Sequence, residues 1–249
     1  MPEEPDQLPG AGSLAPADHP PIAFADEVWA ATVAQAAAFG VELGSHRATV
    51  QALYGHLVGV NAWFNLTRIT GPEDYLKLHL LDSLSLMLDK RLKHLRDGSP
   101  IIDLGSGGGY PGLPLALLQP GKKWILVDSR QRKVAFLQAA LGLIPGCRGE
   151  ARAFRGRETV SAAPDLRRKC QVVLSRAVGR SALLLDEAKD LVMPHGHVIL
   201  AKGPAYADDE HAEALERARP LGYRFVHRHS VTLAPGDPER CIVVWERER

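Results

Sequence analysis

The segment Ile101-Ile102-Asp103-Leu104-Gly105-Ser106-Gly107-Gly108-Gly109-Tyr110-Pro111-Gly112 constrains this chain more than any other. An apolar run ends in an acid, passes into a glycine-rich turn and meets a helix-compatible segment. A second apolar run, Trp124-Ile125-Leu126-Val127, closes at Asp128, 23 residues after Gly105. This is the layout of a βαβ unit that binds a nucleotide. Glycines let the backbone approach a ligand, and an acid closing the second strand can accept hydrogen bonds from two ribose hydroxyls.

Two frames compete for the loop. Gly107 to Gly112 satisfies G-x-G-x-x-G, the dinucleotide fingerprint, but any glycine run does so easily. Asp103-x-Gly105-x-Gly107-x-Gly109 is the acid-and-glycine pattern of S-adenosylmethionine-dependent methyltransferases. The strand ends at Leu104, and Gly105 makes the turn. A dinucleotide frame begun at Gly105 puts Tyr110 where its third glycine belongs, so the loop favours a methyl donor. An NAD-dependent oxidoreductase is the first alternative, although no Tyr/Lys or His constellation accompanies that frame. An RNA-binding module with a catalytically dead cofactor site is the second.

With 249 residues, 45% hydrophobic and 24% charged, the chain can form one sizeable domain and an accessory element. No apolar run approaches the ~18 residues that span a bilayer. The first residues lack a basic stretch followed by an apolar one, so no secretory leader and a cytoplasmic location are expected. Cys147, Cys170 and Cys241 have no metal-ligand spacing, and they read as reduced thiols. His227 and His229 alternate on one strand with no third ligand nearby, so no metal site is expected. The net charge of +1 hides an uneven distribution. Residues 148–169 carry seven bases against three acids, and residues 122–133 carry five bases against Asp128. A positive surface beside the glycine loop suits a phosphate-rich partner.

Residues 1–21 contain six prolines and are expected to form a disordered tail. Helical periodicity follows over 24–39 and over 45–63, where Ser45 is the expected N-cap, and then over 72–88. These segments make up an N-terminal helical cap over 22–98. From 99 to 249, short apolar runs alternate with helical patterns in a Rossmann-like core. Strands are expected at 100–104, 123–127, 149–154, 170–175 and 197–202, with helices at 111–118, 130–141, 181–192 and 208–218. The pair 223–231 and 240–246, joined through Pro235-Gly236-Asp237-Pro238, reads as a closing hairpin. The class is α/β with a mostly parallel sheet.

Other residues narrow the reading. Asn65-Leu66-Thr67 and Lys77-Leu78-His79-Leu80-Leu81-Asp82-Ser83 precede the loop. Tyr110-Pro111-Gly112-Leu113-Pro114-Leu115, Val127-Asp128-Ser129, Lys133-Val134-Ala135-Phe136-Leu137, Gly156-Arg157-Glu158, Ser175-Arg176-Ala177-Val178 and Ala201-Lys202-Gly203 follow in order. In this order they closely resemble the RsmG (GidB) family of bacterial 16S ribosomal RNA methyltransferases. The resemblance implies a class I methyltransferase fold with S-adenosylmethionine as cofactor. It also implies methyl transfer to guanine N7 in the 530-loop region of 16S ribosomal RNA, in free RNA or in the small subunit, by a monomer that needs no membrane.

The resemblance implies cofactor contacts from Asp103, Gly105, Gly107, Tyr110, Asp128, Ser129 and Arg176. Glu158 and Thr159 are implied against the adenine, with the acid one place earlier than the family's Gly-Arg-small-acid pattern. Arg132, Arg157, Lys202 and Arg240 are implied to grip RNA phosphates. Guanine N7 has a free in-plane lone pair, so no general base is expected and Arg176 would act by positioning. His79 and Asp82, three apart on one helix face, are expected to join the cap to the sheet near the cofactor mouth.

Overall fold

A computed structural model describes residues 12–248. Its centre is a seven-stranded sheet in the order β3-β2-β1-β4-β5-β7-β6. The strands are β1 (Ile101–Leu104), β2 (Trp124–Asp128), β3 (Glu150–Ala153), β4 (Cys170–Arg176), β5 (Val192–Lys202), β6 (Tyr223–Val231) and β7 (Arg240–Arg247). The first five pair in parallel, while β7 runs antiparallel to both β5 and β6. The expected closing hairpin is therefore present, with β7 inserted between β5 and β6. The order reverses beside β1, between the strands that lead to β2 and to β4, and ligands of open α/β sheets bind at such a point.

Every residue of β1 and β2 is buried, which explains why these runs lack polar alternation. Alternate residues supply two separate cores. Ile101, Trp124, Leu126, Val172, Leu174, Ile199, Ile242 and Val244 face one side. Ile102, Leu104, Ile125, Val127, Val173, Val198, Leu200, Val243 and Trp245 face the other. The first face carries α1 (Asp26–Ala38), α2 (Arg47–Asn61), the helical stretch α3 over 72–88, α4 (Gly112–Leu118) and α5 (Gln131–Gly142). The second carries α6 (Ser181–Ala188) and α7 (Asp208–Ala218). Leu53, Leu57, Tyr75, Leu80 and Leu84 of α2 and α3 thus share one core with the sheet.

The structure differs from the sequence-based expectation in several places. Residues 12–21, expected as part of a disordered tail, lie along α2, while residues 1–11 fall outside the described ones. A Cβ on Gly55 would meet the Pro20 carbonyl oxygen at 2.1 Å, and one on Gly59 would meet the His19 ring at 2.0 Å. Two glycines thus give the incoming segment its groove. Ser45 does not cap α2; its hydroxyl donates to Glu42 Oε2 at 2.9 Å, and a 3-10 turn over Gly44–His46 leads into the helix. The stretch 72–88 is not a regular α-helix either, because Tyr75–Leu81 is a π-helical segment. Such segments recur where a helix serves a site. The helix expected at 181–192 stops at Ala188 because Val192 already begins β5.

Candidate active site

The chain ends of β1, β2 and β4 open onto a cavity of about 520 Å³, within the range usual for small-ligand sites. Gly105, directly after β1, has φ +77°, and a Cβ there would meet Val178 Cγ2 at 2.6 Å. Only glycine fits both the left-handed turn and the close approach of the β4 loop. Gly105, Gly107, Tyr110, Asp128, Ser129 and Arg176 all line this cavity.

Asp128 closes β2 and secures the loop from below. Its Oδ2 accepts from the Gly107 amide at 3.1 Å and its Oδ1 from the Arg130 amide at 3.0 Å, with Lys133 Nζ 3.9 Å away. Each carboxylate oxygen has a second lone pair for a ligand hydroxyl. Opposite, Phe154, Arg155 and Gly156 after β3 and Leu183, Leu184 and Glu187 of α6 form a slot with an apolar floor. An acid at one end and an apolar slot at the other suit a nucleoside.

Three residues implied as cofactor contacts sit elsewhere. Asp103 does not line the cavity. It is fully buried beneath the loop, and its Oδ2 accepts from the Gly112 amide at 2.8 Å at the start of α4. Burial pushes its carboxyl up to about 6, against the opposing Gly112 hydrogen bond. A Cβ on Gly112 would meet Asp103 Oδ2 at 2.7 Å, so that glycine is required for the contact. Glu158 and Thr159 also miss the cavity. Glu158 Oε2 accepts from the Arg155 amide at 2.9 Å, and Thr159 Oγ1 donates to the Gly156 carbonyl, fully buried. They close a 3-10 turn that aims Arg155 and Gly156 inward, so the shifted acid shapes the wall without lining it.

Arg176, the last residue of β4, organises the cavity mouth. Its Nη1 donates to the Leu78 carbonyl and to Asp82 Oδ2, both at 2.7 Å, and its Nη2 lies 3.0 Å from His79 Nδ1. Arginine has no acceptor, so Nδ1 must present its lone pair and the proton sits on Nε2, which donates to Thr67 Oγ1 at 3.0 Å. The His79 ring stacks on Tyr110 with centroids 4.1 Å apart. Burial first, then the Arg176 charge, push His79 down to about 3, so it is neutral at physiological pH. His79 and Asp82 of α3 are thus tied to the end of β4 through Arg176. The next residue, Ala177, is held at φ +57°, a conformation that costs roughly 1–3 kcal/mol and clusters at functional sites.

Behind Arg176 lies a second cavity of about 510 Å³, lined by Ile69, Asp82, Gly179, Lys202, Tyr206, Glu210 and Arg240 among others. His79, Arg176 and Ala177 are common to both cavities. Arg240 Nη1 lies 3.4 Å from Asp82 Oδ1, so Asp82 sits between two guanidinium groups. Lys202 is not a free phosphate grip. It is 10% exposed, 2.8 Å from Glu210 Oε1, and donates to the Gly179 carbonyl at 3.0 Å. Arg157 is 57% exposed beside the first cavity. Arg132 is half-buried on α5, outside both cavities. Phe154, Leu183 and Glu187 are wall residues outside the quoted motifs, and Thr67, Lys133 and Arg155 were read without a role in the cavity.

Comparison with known proteins places this geometry. Residues 46–230 match the GidB family, described as rRNA small subunit methyltransferase G. The protein of that name from Sorangium cellulosum is 37% identical over 195 residues, 78% of this chain and 77% of its own. That from Myxococcus xanthus is 33% identical over 228 residues, 90% of this chain and 98% of its own. Among solved structures, a SAM-dependent methyltransferase from Aquifex aeolicus superposes with a TM-score of 0.54 at 15% identity, covering 74% of this chain and 99% of that one. That likeness speaks to the fold alone. No helix among the described residues is long and apolar enough to cross a membrane. The family match spans the glycine loop, the Arg176 joint, the first cavity and all of the second except Arg240, and this chain belongs to the GidB family of S-adenosylmethionine-dependent ribosomal RNA methyltransferases.

Proposed function

We propose that the chain methylates guanine N7 in the 530-loop region of 16S ribosomal RNA, with S-adenosylmethionine in the first cavity and the target base in the second. The observation that carries this reading is the shared wall. Arg176 belongs to both cavities, so a donor and an acceptor held on its two sides would meet beside it. The first cavity fits the cofactor. Asp128 takes the ribose hydroxyls, the Phe154–Gly156 and Leu183 side takes the adenine, and the turn at Gly105 and Gly107 admits the methionine end.

When bound, S-adenosylmethionine supplies a sulfonium methyl group whose carbon–sulfur bond breaks as the N7 lone pair forms the new bond. The protein has no proton to remove in this step. His79 cannot serve as a base, because Arg176 holds its Nδ1 lone pair and its Nε2 proton is committed to Thr67. Asp103 is sealed beneath the loop. What remains is positioning. Three hydrogen bonds to Leu78, Asp82 and His79 fix the Arg176 guanidinium. Its remaining N–H groups are available to orient a carboxylate or the guanine O6. The target base must leave its stack to enter the second cavity.

The exposed bases beside the first cavity, Arg155 and Arg157 foremost, supply phosphate contacts, and Arg240 and half-buried Arg132 extend that surface. The whole acts as a monomer in the cytoplasm, with the small subunit or its RNA as partner. Residues 22–98 act as a cap that closes the site through His79 and Asp82. The test is methylation of small subunits or 16S RNA with isotopically labelled cofactor, followed by mass spectrometry of nuclease fragments. A single 7-methylguanosine in the 530-loop fragment is expected. Label at another ring position, or only elsewhere in the RNA, would overturn the proposal.

A further inference from the structure

We propose that Glu210 is the residue that reads the target base as guanine, its free carboxylate oxygen accepting from the Watson–Crick edge. This rests on the second cavity being the place of the base. Glu210 lines that cavity and not the first. One oxygen, Oε1, is fully engaged, accepting from the Ser181 amide and hydroxyl and from Lys202 Nζ, each at 2.8 Å. Oε2 has no partner among the described residues. Burial raises the carboxyl, but Lys202 and Ser181 more than offset this and hold it below the usual range, so it stays an acceptor.

Guanine suits this arrangement. Its N7 and its N1–H and 2-amino donors lie on opposite edges of the ring. With N7 turned to the wall shared with the cofactor cavity, the donor edge turns away from it into the rest of the cavity, which Glu210 lines. The other acid of the cavity, Asp82, is already held by Arg176 and Arg240. Adenine in the same pose would bring the N1 lone pair against the carboxylate and would offer no 2-amino group. A site that offers a half-buried acceptor to the correct base disfavours an analogue that leaves the acceptor unpaired.

The experiment uses small subunits reassembled on 16S RNA that carries either guanosine or inosine at the target position. Inosine keeps N7, O6 and N1–H and lacks only the 2-amino group. The parent enzyme should methylate inosine roughly 10- to 100-fold more slowly in kcat/KM, the scale of one hydrogen bond to a charged acceptor. In Glu210→Gln that ratio should shrink to within about threefold, with S-adenosylmethionine affinity by calorimetry unchanged. Equal rates for guanosine and inosine in the parent enzyme would overturn the proposal, with no variant needed. So would a Glu210→Gln enzyme, slowed on both substrates, that keeps the parent's ratio. No 7-methylguanosine at all from the parent would bring down the cavity reading, and this proposal with it.

Discussion

The two cavities are built by different means. The first rests on backbone: a left-handed glycine turn, strand ends and amide hydrogen bonds to Asp128, most of them close together in sequence. The second rests on side chains brought from far apart. Arg176 meets residues 94 to 98 positions earlier, and Arg240 meets Asp82 from the other half of the chain. A cofactor that is the same in every turnover can be held by a local motif. In the proposed assignment, a base presented by a large RNA calls for a wall assembled from α3, β4, β5 and β7 together.

The sharpest way to break this contrast is at the shared wall. Arg176→Ala should lower the single-turnover rate by roughly 10²-fold or more through lost positioning. It should also cost about 1.5–3 kcal/mol of stability, because Asp82 loses the hydrogen bond of its nearer partner but keeps Arg240. Denaturant melts separate the two effects. A variant that stays folded and works at the parent rate would remove Arg176 from the mechanism. A purely local change should act on one cavity alone. Asp128→Ala should weaken S-adenosylmethionine binding by about 1.5–3 kcal/mol, read by calorimetry, while the guanosine-to-inosine ratio holds. Unchanged affinity in a folded variant would contradict the ribose assignment.

Helix α2 contributes a pH dependence of its own. His56 is fully buried on α2 against Phe136, and burial pushes it down to about 4. A group depressed in this way is neutral in the folded protein and takes up a proton more readily when unfolded. Its burial is therefore harmless above about pH 6.5 and destabilising as pH falls below that value. His56→Phe should reduce the acid-side loss of stability between about pH 6 and 5 by roughly 1.4 kcal/mol per pH unit. Urea titrations at the two pH values measure it, and an unchanged slope would mean that the ring is protonated in the fold.

The smallest effect separates exposed from engaged cations. Arg157→Ala should reduce the log–log salt slope of RNA binding by roughly 0.7–0.9. Lys202→Ala should leave that slope alone and disturb the second cavity instead. Equal slopes for the parent and Arg157→Ala would put the RNA on another face.

The same contrast decides what was legible in the sequence. The strands, the closing hairpin, Gly105 and the placement of Asp128 at the end of β2 could be read, because each is set by neighbours within a few residues. Asp103, Glu158 and Thr159 sit in the right motif, but their side chains turn to Gly112, Arg155 and Gly156. Motif spacing carries no information on which way a side chain turns when a nearby amide competes for it. Lys202 looked like a phosphate grip because its partner Glu210 comes from the next helix. The π segment over Tyr75–Leu81 has no signature in hydrophobic periodicity, and neither does the groove that Gly55 and Gly59 give to residues 19–20.

In the proposed mechanism, methyl transfer across the Arg176 wall needs geometry and no base. The single-turnover rate, at saturating RNA and cofactor, tests it most directly when followed from about pH 6 to 8.5, between protonation of guanine N7 and ionisation of N1. A nearly flat profile is expected, and a loss in His79→Asn smaller than the roughly 10²–10⁴-fold that follows removal of a general base. A rate that climbs tenfold per pH unit below an apparent pKa near 6.5, and loses that dependence in His79→Asn, would show that the histidine takes a proton and would rule out a base-free transfer.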